Sequence, residues 1–353
     1  MKTVFVGLSG GVDSATSAAL LKQAGHHVTG VFIKIYRPEF IECTWKEDRL
    51  DAMRVCAALS IPFREIDLSE EYKRGVVDSM LADYAAGITP NPDILCNARI
   101  KFGAFLRWAR EHGAEKIATG HYARIVEQDG RFRLLRGADS NKDQSYFLFR
   151  LTQETLAHAL FPVGDLMKPE VREKAKKFNL PVAQKHDSQG ICFIGDVSME
   201  DFLGRYISTV PGAVLNMSGQ KIGEHHGAAL VTIGQRHGFK IVGDEARVPQ
   251  YVVSIDTAKN EIVVSSNRLD ASVSEVHLRD VSWVDTAPQD SAYIEVQARY
   301  RDKPVAATLT TNGNGTRVHF AEPHSAPPGQ SLVIYKGDVC IGGGVIEKQV
   351  TIR

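Results

Sequence analysis

From Thr3 to Asn179 the apolar positions switch repeatedly between a two-residue and a 3.6-residue period. Thr3–Val6 reads as a short apolar strand, and Ala15–Gln23 as a helix that Gly25 stops in the left-handed region. Val28–Ile35 predicts a second strand, Lys46–Leu59 a helix and Pro62–Ile66 a third strand. Helical spacing covers Glu70–Ala85 and Arg99–His112, a strand follows at Lys116–Thr119, and helices return near Thr152–Ala159 and Pro169–Asn179. Strands and helices in alternation imply βαβ units and a parallel sheet, an α/β domain.

The pattern changes after Tyr206. Short β-branched runs now follow one another at Val231–Ile233, Tyr251–Ile255, Glu261–Val264, Tyr293–Arg299, Val305–Thr310, Arg317–Phe320, Ser331–Tyr335 and Gly344–Ile346. Asp256–Asn260 and Asn312–Gly315 carry turn residues between such runs, as hairpins require. Evenly spaced short strands predict one or two small β-barrels. The expected division is an α/β domain with a helical extension over residues 1–205, a small β-rich central domain over 206–272, and a C-terminal β-barrel over 273–353.

Charge adds a second layer. Lysines and arginines number 42, as do aspartates and glutamates, so the formal net charge is zero. That sum argues against a uniformly basic nucleic-acid binder. Its distribution does not: residues 99–177 hold 16 basic and 10 acidic side chains, while both flanks are mildly acidic. The basic block is either a solvated helical surface or a local anion-facing one. No apolar run reaches the roughly 18 residues that span a bilayer, so no membrane partner is expected. The five cysteines (Cys43, Cys56, Cys96, Cys192 and Cys340) form no disulfide framework and no zinc-ligand spacing, and no metal site is predicted from them. The first strand begins at Thr3, leaving no room for a targeting segment, and a reducing, cytoplasmic setting is expected. Cys43 and Cys340 read as structural, Cys56 as core, and the His225–His226 pair as loop surface.

The most specific local motif is Gly7-Leu8-Ser9-Gly10-Gly11-Val12-Asp13-Ser14, between the first strand and the first helix. Small residues let backbone N–H groups approach an anion, and a helix N-terminus carries about half a positive charge. Ser9 and Ser14 add hydroxyls, and Asp13 could hold a magnesium ion. The lysine of the G-x-x-x-x-G-K-[ST] loop is missing. The string resembles the PP-loop of the ATP pyrophosphatases, and the resemblance implies that Gly7 through Ser14 hold the phosphates of ATP.

Two cysteines lie in marked surroundings. Cys96, in Asn91-Pro92-Asp93-Ile94-Leu95-Cys96-Asn97, precedes the helix expected from Arg99, and Arg99 and Lys101 are close in sequence. A helix N-terminus beside cations favours the thiolate. Asp93 is three residues away and within reach for proton transfer. Cys192, in Gly190-Ile191-Cys192-Phe193-Ile194-Gly195, reads by itself as a buried thiol on a core strand. Its flanking glycines and the polar approach Lys185–Gln189 also suit a loop.

Taken in order, these motifs resemble the tRNA-specific 2-thiouridylases over nearly the whole chain. Thr119–Arg124, Lys142–Tyr146 and Arg299–Arg301 extend the match. The resemblance implies ATP-dependent adenylation of the uridine C2 oxygen and sulfur transfer from a persulfide on Cys192. Cys96 would then release the sulfur through a transient Cys96–Cys192 disulfide, and Asp93 would serve as acid or base. It implies a persulfide sulfur donor as partner, and tRNA (Lys, Glu, Gln) wobble uridines as substrate. Ile33 and Gly120 would line the ATP pocket. Asn91, Pro92 and Asp93 would surround the target base, while His121, Lys142, Asp143, Gln144, Arg299, Tyr300 and Gln330 would contact the tRNA. The chain departs from the family at Phe32-Ile33-Lys34-Ile35-Tyr36, where Phe-Met-Lys-Asn-Trp is common; Ile33 keeps the backbone contacts with adenine. Within the family, an iron–sulfur cluster on Asp93, Cys96 and Cys192 is the rival sulfur carrier.

The basic stretch Lys116–Arg150 interleaves Tyr122, Phe132, Tyr146 and Phe147, as single-stranded RNA recognition requires, although Phe147–Phe149 reads more simply as a core strand. The alternatives are an amidotransferase-type PP-loop synthetase acting on a small molecule, and a non-catalytic RNA-binding module. The first needs neither paired cysteines nor C-terminal β-domains, and the second leaves the phosphate loop unexplained.

Overall fold

The computed structural model describes residues 1–41, 45–186, 197–207, 209–290, 292–312 and 315–351. Its N-terminal region is built on a parallel sheet of β1 (Thr3–Leu8), β2 (His27–Lys34), β3 (Phe63–Asp67), β4 (Lys116–Ala118) and the two-residue strand Ala159–Leu160. The spatial order is β3-β2-β1-β4, then Ala159–Leu160. The chain runs outward from β1 to one edge and then returns to its other side, so strand order reverses between β1 and β4. Crevices at the carboxyl ends of strands flanking such a reversal are the usual ligand sites of open α/β sheets.

Helix α1 (Val12–Gln23) buries Ser14, Ala15, Ser17, Ala18 and Ala19, small residues that let it lie close to the sheet. Gly25 follows at φ 83°, as expected. Helix α2 (Trp45–Ala58) buries Ala52, Val55 and Cys56. A methyl group on Gly30 of β2 would stand 2.4 Å from the Cys56 sulfur, which explains why the helix sits so close. Burial pushes the Cys56 thiol up to about 11 and the Cys340 thiol up to about 12, so both are inert core groups at neutral pH. Cys43 lies outside the described residues.

The helix expected from Arg99 begins earlier. Pro92–Leu95 opens it, Cys96–Ala104 continues in π geometry, and Phe105–Glu111 closes it. Asn91 caps the start, its carboxamide oxygen accepting from the Ile94 N–H at 3.4 Å, with Pro92 in the first turn. Cys96 therefore sits one turn inside the helix and not before it.

A hairpin of Ala123–Gln128 and Arg131–Arg136 extends from this region, where no strands were expected. Its turn is Asp129-Gly130, both at positive φ, the pairing that a two-residue hairpin loop favours. Phe147–Phe149 is core, as expected, but as a 3₁₀ turn rather than a strand.

The central region holds a five-stranded sheet, Phe239–Ile241, Lys221–His225, Gly212–Leu215, Glu261–Ser265 and Tyr251–Asp256 in spatial order. Its own core contains Val214, Ile222, Val252, Ile262 and Val264. The expected strand Val231–Ile233 is a loop, anchored by the buried Val231. His225 is also unlike expectation: it is buried at a strand end and accepts from the Gly227 N–H at 3.0 Å.

Six C-terminal strands form a closed barrel: Ser272–Trp283, Gly315–Ser325, Val305–Asn312, Tyr293–Gln297, Ser331–Lys336 and Val339–Thr351. Pairing of the first with the last closes it. Val339–Thr351 also pairs with the N-terminal hairpin, Leu135 against Val339 and Leu134 against Cys340. Leu134, Tyr146 and Phe149 share one buried cluster with Val333, Tyr335 and Cys340, so barrel and α/β region are fused through a common core.

Candidate functional site

The phosphate loop lies at the reversal point, between the end of β1 and the start of α1. Gly10 takes φ 75°, and a side chain there would meet the Asp48 carbonyl at 2.7 Å. On the far wall, a methyl on Gly120 would come within 2.6 Å of the Ser14 nitrogen and 2.7 Å of the Asp13 carbonyl carbon. Only glycine lets the segment after β4 pass so close to the loop. The Ser14 hydroxyl donates to the Gly11 carbonyl at 3.2 Å and accepts from the Ser9 N–H at 3.3 Å, which fixes the turn. The Ile33 side chain, from the neighbouring β2, stands 3.6 Å from where a Gly7 methyl would be. Open glycine backbone, two hydroxyls and a helix N-terminus together fit a triphosphate.

An ammonium group reaches the loop from a distant helix. Lys168 opens the helix Lys168–Lys177 and donates its ammonium to both Asp13 carboxylate oxygens, at 2.7 and 2.9 Å. The Tyr122 hydroxyl donates to the same carboxylate at 2.8 Å. Lys168 is itself buried, and its backbone N–H donates to Asp139 at 2.9 Å. The sequence gives no local sign of this role, because Lys168 stands 155 positions from Asp13. Asp13, expected as a magnesium ligand, already faces an ammonium group.

Asp93 and Cys96 lie on one helical turn, with Cys96 buried. Burial pushes the Asp93 carboxyl above its usual range, against the opposing pull of the Lys101 cation. Burial holds His121 well below its usual value, and Lys101 adds to the effect. The His121 imidazole is therefore neutral at neutral pH, paired with the Thr119 hydroxyl at 2.7 Å and lying beside Phe102 and Phe161. It follows Gly120 in sequence, which joins the Asp93–Cys96 helix to the phosphate loop. Asn97 anchors that helix, donating to the Phe147 carbonyl at 3.2 Å.

Cys192 lies outside the described residues; its approaches do not. Lys185 donates to Asp48 and Asp51 of α2 at 2.9 and 2.8 Å, and Asp48 is the residue that touches Gly10. On the other side, Phe202 and Tyr206 pack on Phe40, in the loop after β2. Lys185 is thus tied through Asp48 to the phosphate loop, and Phe202 and Tyr206 to the loop after β2.

The residues expected to face RNA divide into two groups. Asp143 is spent internally, accepting from Gly137, Ser145 and Arg136. Gln144 accepts from the Tyr122 N–H, His121 is buried, and Lys142 is half-buried on the same turn. In the barrel, Arg299 donates to the Ile233 carbonyl at 2.6 Å, Tyr300 packs on Phe147, and Gln330 donates to the Thr89 carbonyl at 2.9 Å. Thr89 also pairs hydroxyls with Thr232 at 2.8 Å. The loop leading into Asn91 and Pro92 is therefore held by the central and the C-terminal regions together, an arrangement with no signal in the sequence.

Three family descriptions match the chain: a tRNA methyl transferase HUP domain over residues 2–196, a tRNA methyl transferase PRC-barrel domain over 200–266, and an aminomethyltransferase beta-barrel domain over 273–346. Among similar proteins, the tRNA-specific 2-thiouridylase MnmA of Serratia proteamaculans is 45% identical over 359 residues, 99% of this chain and 98% of that one. The protein of the same description from Escherichia coli O1:K1 is 45% identical over 361 residues, with the same two coverages. That of Yersinia enterocolitica is 46% identical over 358 residues, 99% of this chain and 96% of the relative.

Proposed function

The chain belongs to the tRNA-specific 2-thiouridylase family, and from that premise we propose that it is a tRNA-uridine 2-sulfurtransferase. Its substrates are ATP, a wobble uridine of the Lys, Glu and Gln tRNAs, and sulfur delivered by a persulfide donor. The uridine O2 attacks the α-phosphorus of ATP, pyrophosphate leaves, and C2 gains a good leaving group. The terminal sulfur of a Cys192 persulfide then attacks C2. Cys96 attacks the inner sulfur, the S–S bond to the transferred atom breaks, and AMP departs with O2. A Cys96–Cys192 disulfide remains, and two electrons from a cellular thiol reset it. Such a cycle suits a reducing cytoplasm. Among the described residues no helix is long and apolar enough to cross a membrane.

The residues divide the work by chemistry. Glycine backbone and the α1 N-terminus take the phosphates, and magnesium supplies further charge neutralisation when bound. Asp93, with its raised carboxyl, accepts or returns the proton at N3 or O2. His121, neutral and buried, keeps this wall free of a competing cation. The observation carrying the reading is the placing of Asp93 and Cys96 on one turn of a helix packed against the segment that walls the phosphate loop. The test is a purified reaction of unmodified tRNA, ATP and a persulfide donor (a cysteine desulfurase with free cysteine), with 2-thiouridine measured by nucleoside mass spectrometry. ATP-dependent 2-thiouridine supports the reading, and its absence despite tRNA and ATP binding contradicts it.

A further inference from the structure

Phe40, in the loop after β2, and Tyr206, just beyond the helix Met199–Leu203, are 41% and 42% exposed. Their ring centroids lie 6.1 Å apart, and both pack on the fully buried Phe202, at 6.2 and 5.1 Å. The Arg205 guanidinium lies 5.4 Å over the Phe40 ring, and the Tyr36 hydroxyl stands 3.5 Å from that of Tyr206. These rings differ from singly scattered apolar residues, because they form one patch on a buried aromatic base. Their packing fixes their orientation, so a partner that covers them loses little side-chain freedom in doing so.

The patch adjoins the proposed reaction site. Lys73 interacts electrostatically with Tyr36, and Asp78 with Tyr206. The turn Lys73–Val77 packs on Pro92–Leu95 and Cys96–Ala104, which carry Asp93 and Cys96. The helix Met199–Leu203 begins seven positions after Cys192, so chain length keeps that thiol within roughly 25 Å of it. Exposed carboxylates flank the rings: Glu39 next to Phe40, and Glu200 and Asp201 on the Phe202 helix. Of the nearby cations, Lys73 is paired with Asp78 at 3.1 Å and Arg205 lies over a ring. A polyanion gains little from such a surface, whereas the cation surplus lies within residues 99–177. Aromatic and arginine side chains inside a polar rim are the usual anchors of protein–protein interfaces, and an acidic rim selects a basic partner.

We propose that this aromatic patch is the docking surface for the protein that delivers sulfur, a persulfide-bearing cysteine desulfurase that covers Phe40 and Tyr206 with apolar side chains and meets the acidic flank with basic ones. The inference rests on the thiolation reading, which requires a donor. In the docked pair the Cys192 thiolate attacks the terminal sulfur of the donor's persulfide. The donor's S–S bond breaks, its cysteine leaves as a thiolate, and Cys192 now carries the persulfide, with no net oxidation or reduction. A diffusible persulfide makes the same exchange without docking.

The test measures 2-thiouridine formation by the full chain with two sulfur sources: the cysteine desulfurase of the same organism with free cysteine, and glutathione persulfide. Phe40→Ala with Tyr206→Ala should raise the apparent KM for the desulfurase about tenfold or more. Affinity for tRNA, affinity for ATP and the rate with glutathione persulfide should stay at parent values. Glu39→Lys with Glu200→Lys, two exposed positions, should raise the same KM several-fold at low salt and less at high salt. A parent-like KM for the desulfurase in both variants would overturn the proposal, and so would an equal loss with both sulfur sources. Weakened tRNA binding with an unchanged desulfurase KM would also overturn it, since that gives the rings to RNA. So would a parent chain active with glutathione persulfide and inactive with the desulfurase. A parent that makes no 2-thiouridine from either source overturns the thiolation reading; the docking surface is then judged on desulfurase binding alone, which the double Ala variant must still weaken.

Discussion

Gln330 of the C-terminal barrel donates its side-chain amide to the backbone carbonyl of Thr89 at 2.9 Å, across 241 positions of sequence. Thr89 lies just ahead of Asn91, which caps the helix bearing Asp93 and Cys96. The barrel thus holds the loop that leads into the proposed catalytic turn. Gln330→Ala removes one partly buried hydrogen bond, a loss of about 1 kcal/mol. The expected result is a several-fold lower thiolation rate with ATP affinity unchanged, measured by single-turnover kinetics. An unchanged rate would remove the barrel from the positioning of that turn.

Asp93 gives a pH test in two parts. Its carboxyl is raised in the fold, so the folded state holds a proton more tightly than the unfolded chain does. Stability therefore falls as pH rises from the unfolded carboxyl value, about 3.9, through the raised folded value. Asp93→Asn should abolish that contribution and leave the protein no less stable than the parent at pH 7, by thermal denaturation. If Asp93 acts as the base, the parent's rate falls on acidification through its raised value. The Asn variant should then lose roughly 10²–10⁴-fold in rate. A variant that is both active and less stable would contradict both parts.

The Lys168–Asp13 pair is predicted to act as a unit. Lys168→Met should raise the ATP KM about tenfold by leaving the Asp13 carboxylate aimed at the phosphates without its counter-charge. Adding Asp13→Asn should recover part of the stability lost in the single variant, because the two groups are in contact. Strict additivity in the double-mutant cycle would show that the pair is not coupled.

Gly120→Ala tests the closeness of the two walls. Its methyl meets loop backbone at 2.6 Å, where no flexible side chain can yield, so the phosphate loop must shift. Overpacking of this kind costs about 1–3 kcal/mol. Calorimetric titration should show ATP binding weakened by an order of magnitude or more. Wild-type ATP affinity would mean that Gly120 does not wall the nucleotide.

The features legible in the sequence were those that short-range chemistry determines. Ser9-Gly10-Gly11 between a β-branched strand and a helix leaves few conformations, and the phosphate loop took the expected place. The Asp256–Asn260 turn likewise joined two antiparallel strands. Misreadings arose where distant partners decide. Asn91-Pro92 reads as a turn before a helix, but the capping Asn and first-turn Pro open the helix themselves, which puts Cys96 one turn inside it. The hairpin at Asp129-Gly130 is stabilised as an added edge of the barrel, through partners some two hundred positions away. The internal partners of Asp143 and Gln144 (Gly137, Ser145, Arg136 and Tyr122) likewise have no sign in the sequence. Lys168 carried no local sign at all. The zero net charge hides local distribution in the same way, since residues 99–177 hold 16 basic and 10 acidic side chains.

The proposed chemistry has Asp93, Cys96 and Cys192 carry ATP-dependent sulfur transfer to a tRNA uridine. The most direct measurement is nucleoside mass spectrometry of bulk tRNA from a strain lacking this protein, complemented with the parent, Cys96→Ser or Cys192→Ser. 2-Thiouridine should disappear in the deletion, return with the parent and return with neither variant, while both variants still bind tRNA. Full 2-thiouridine with either variant, or undiminished levels in the deletion strain, would contradict it.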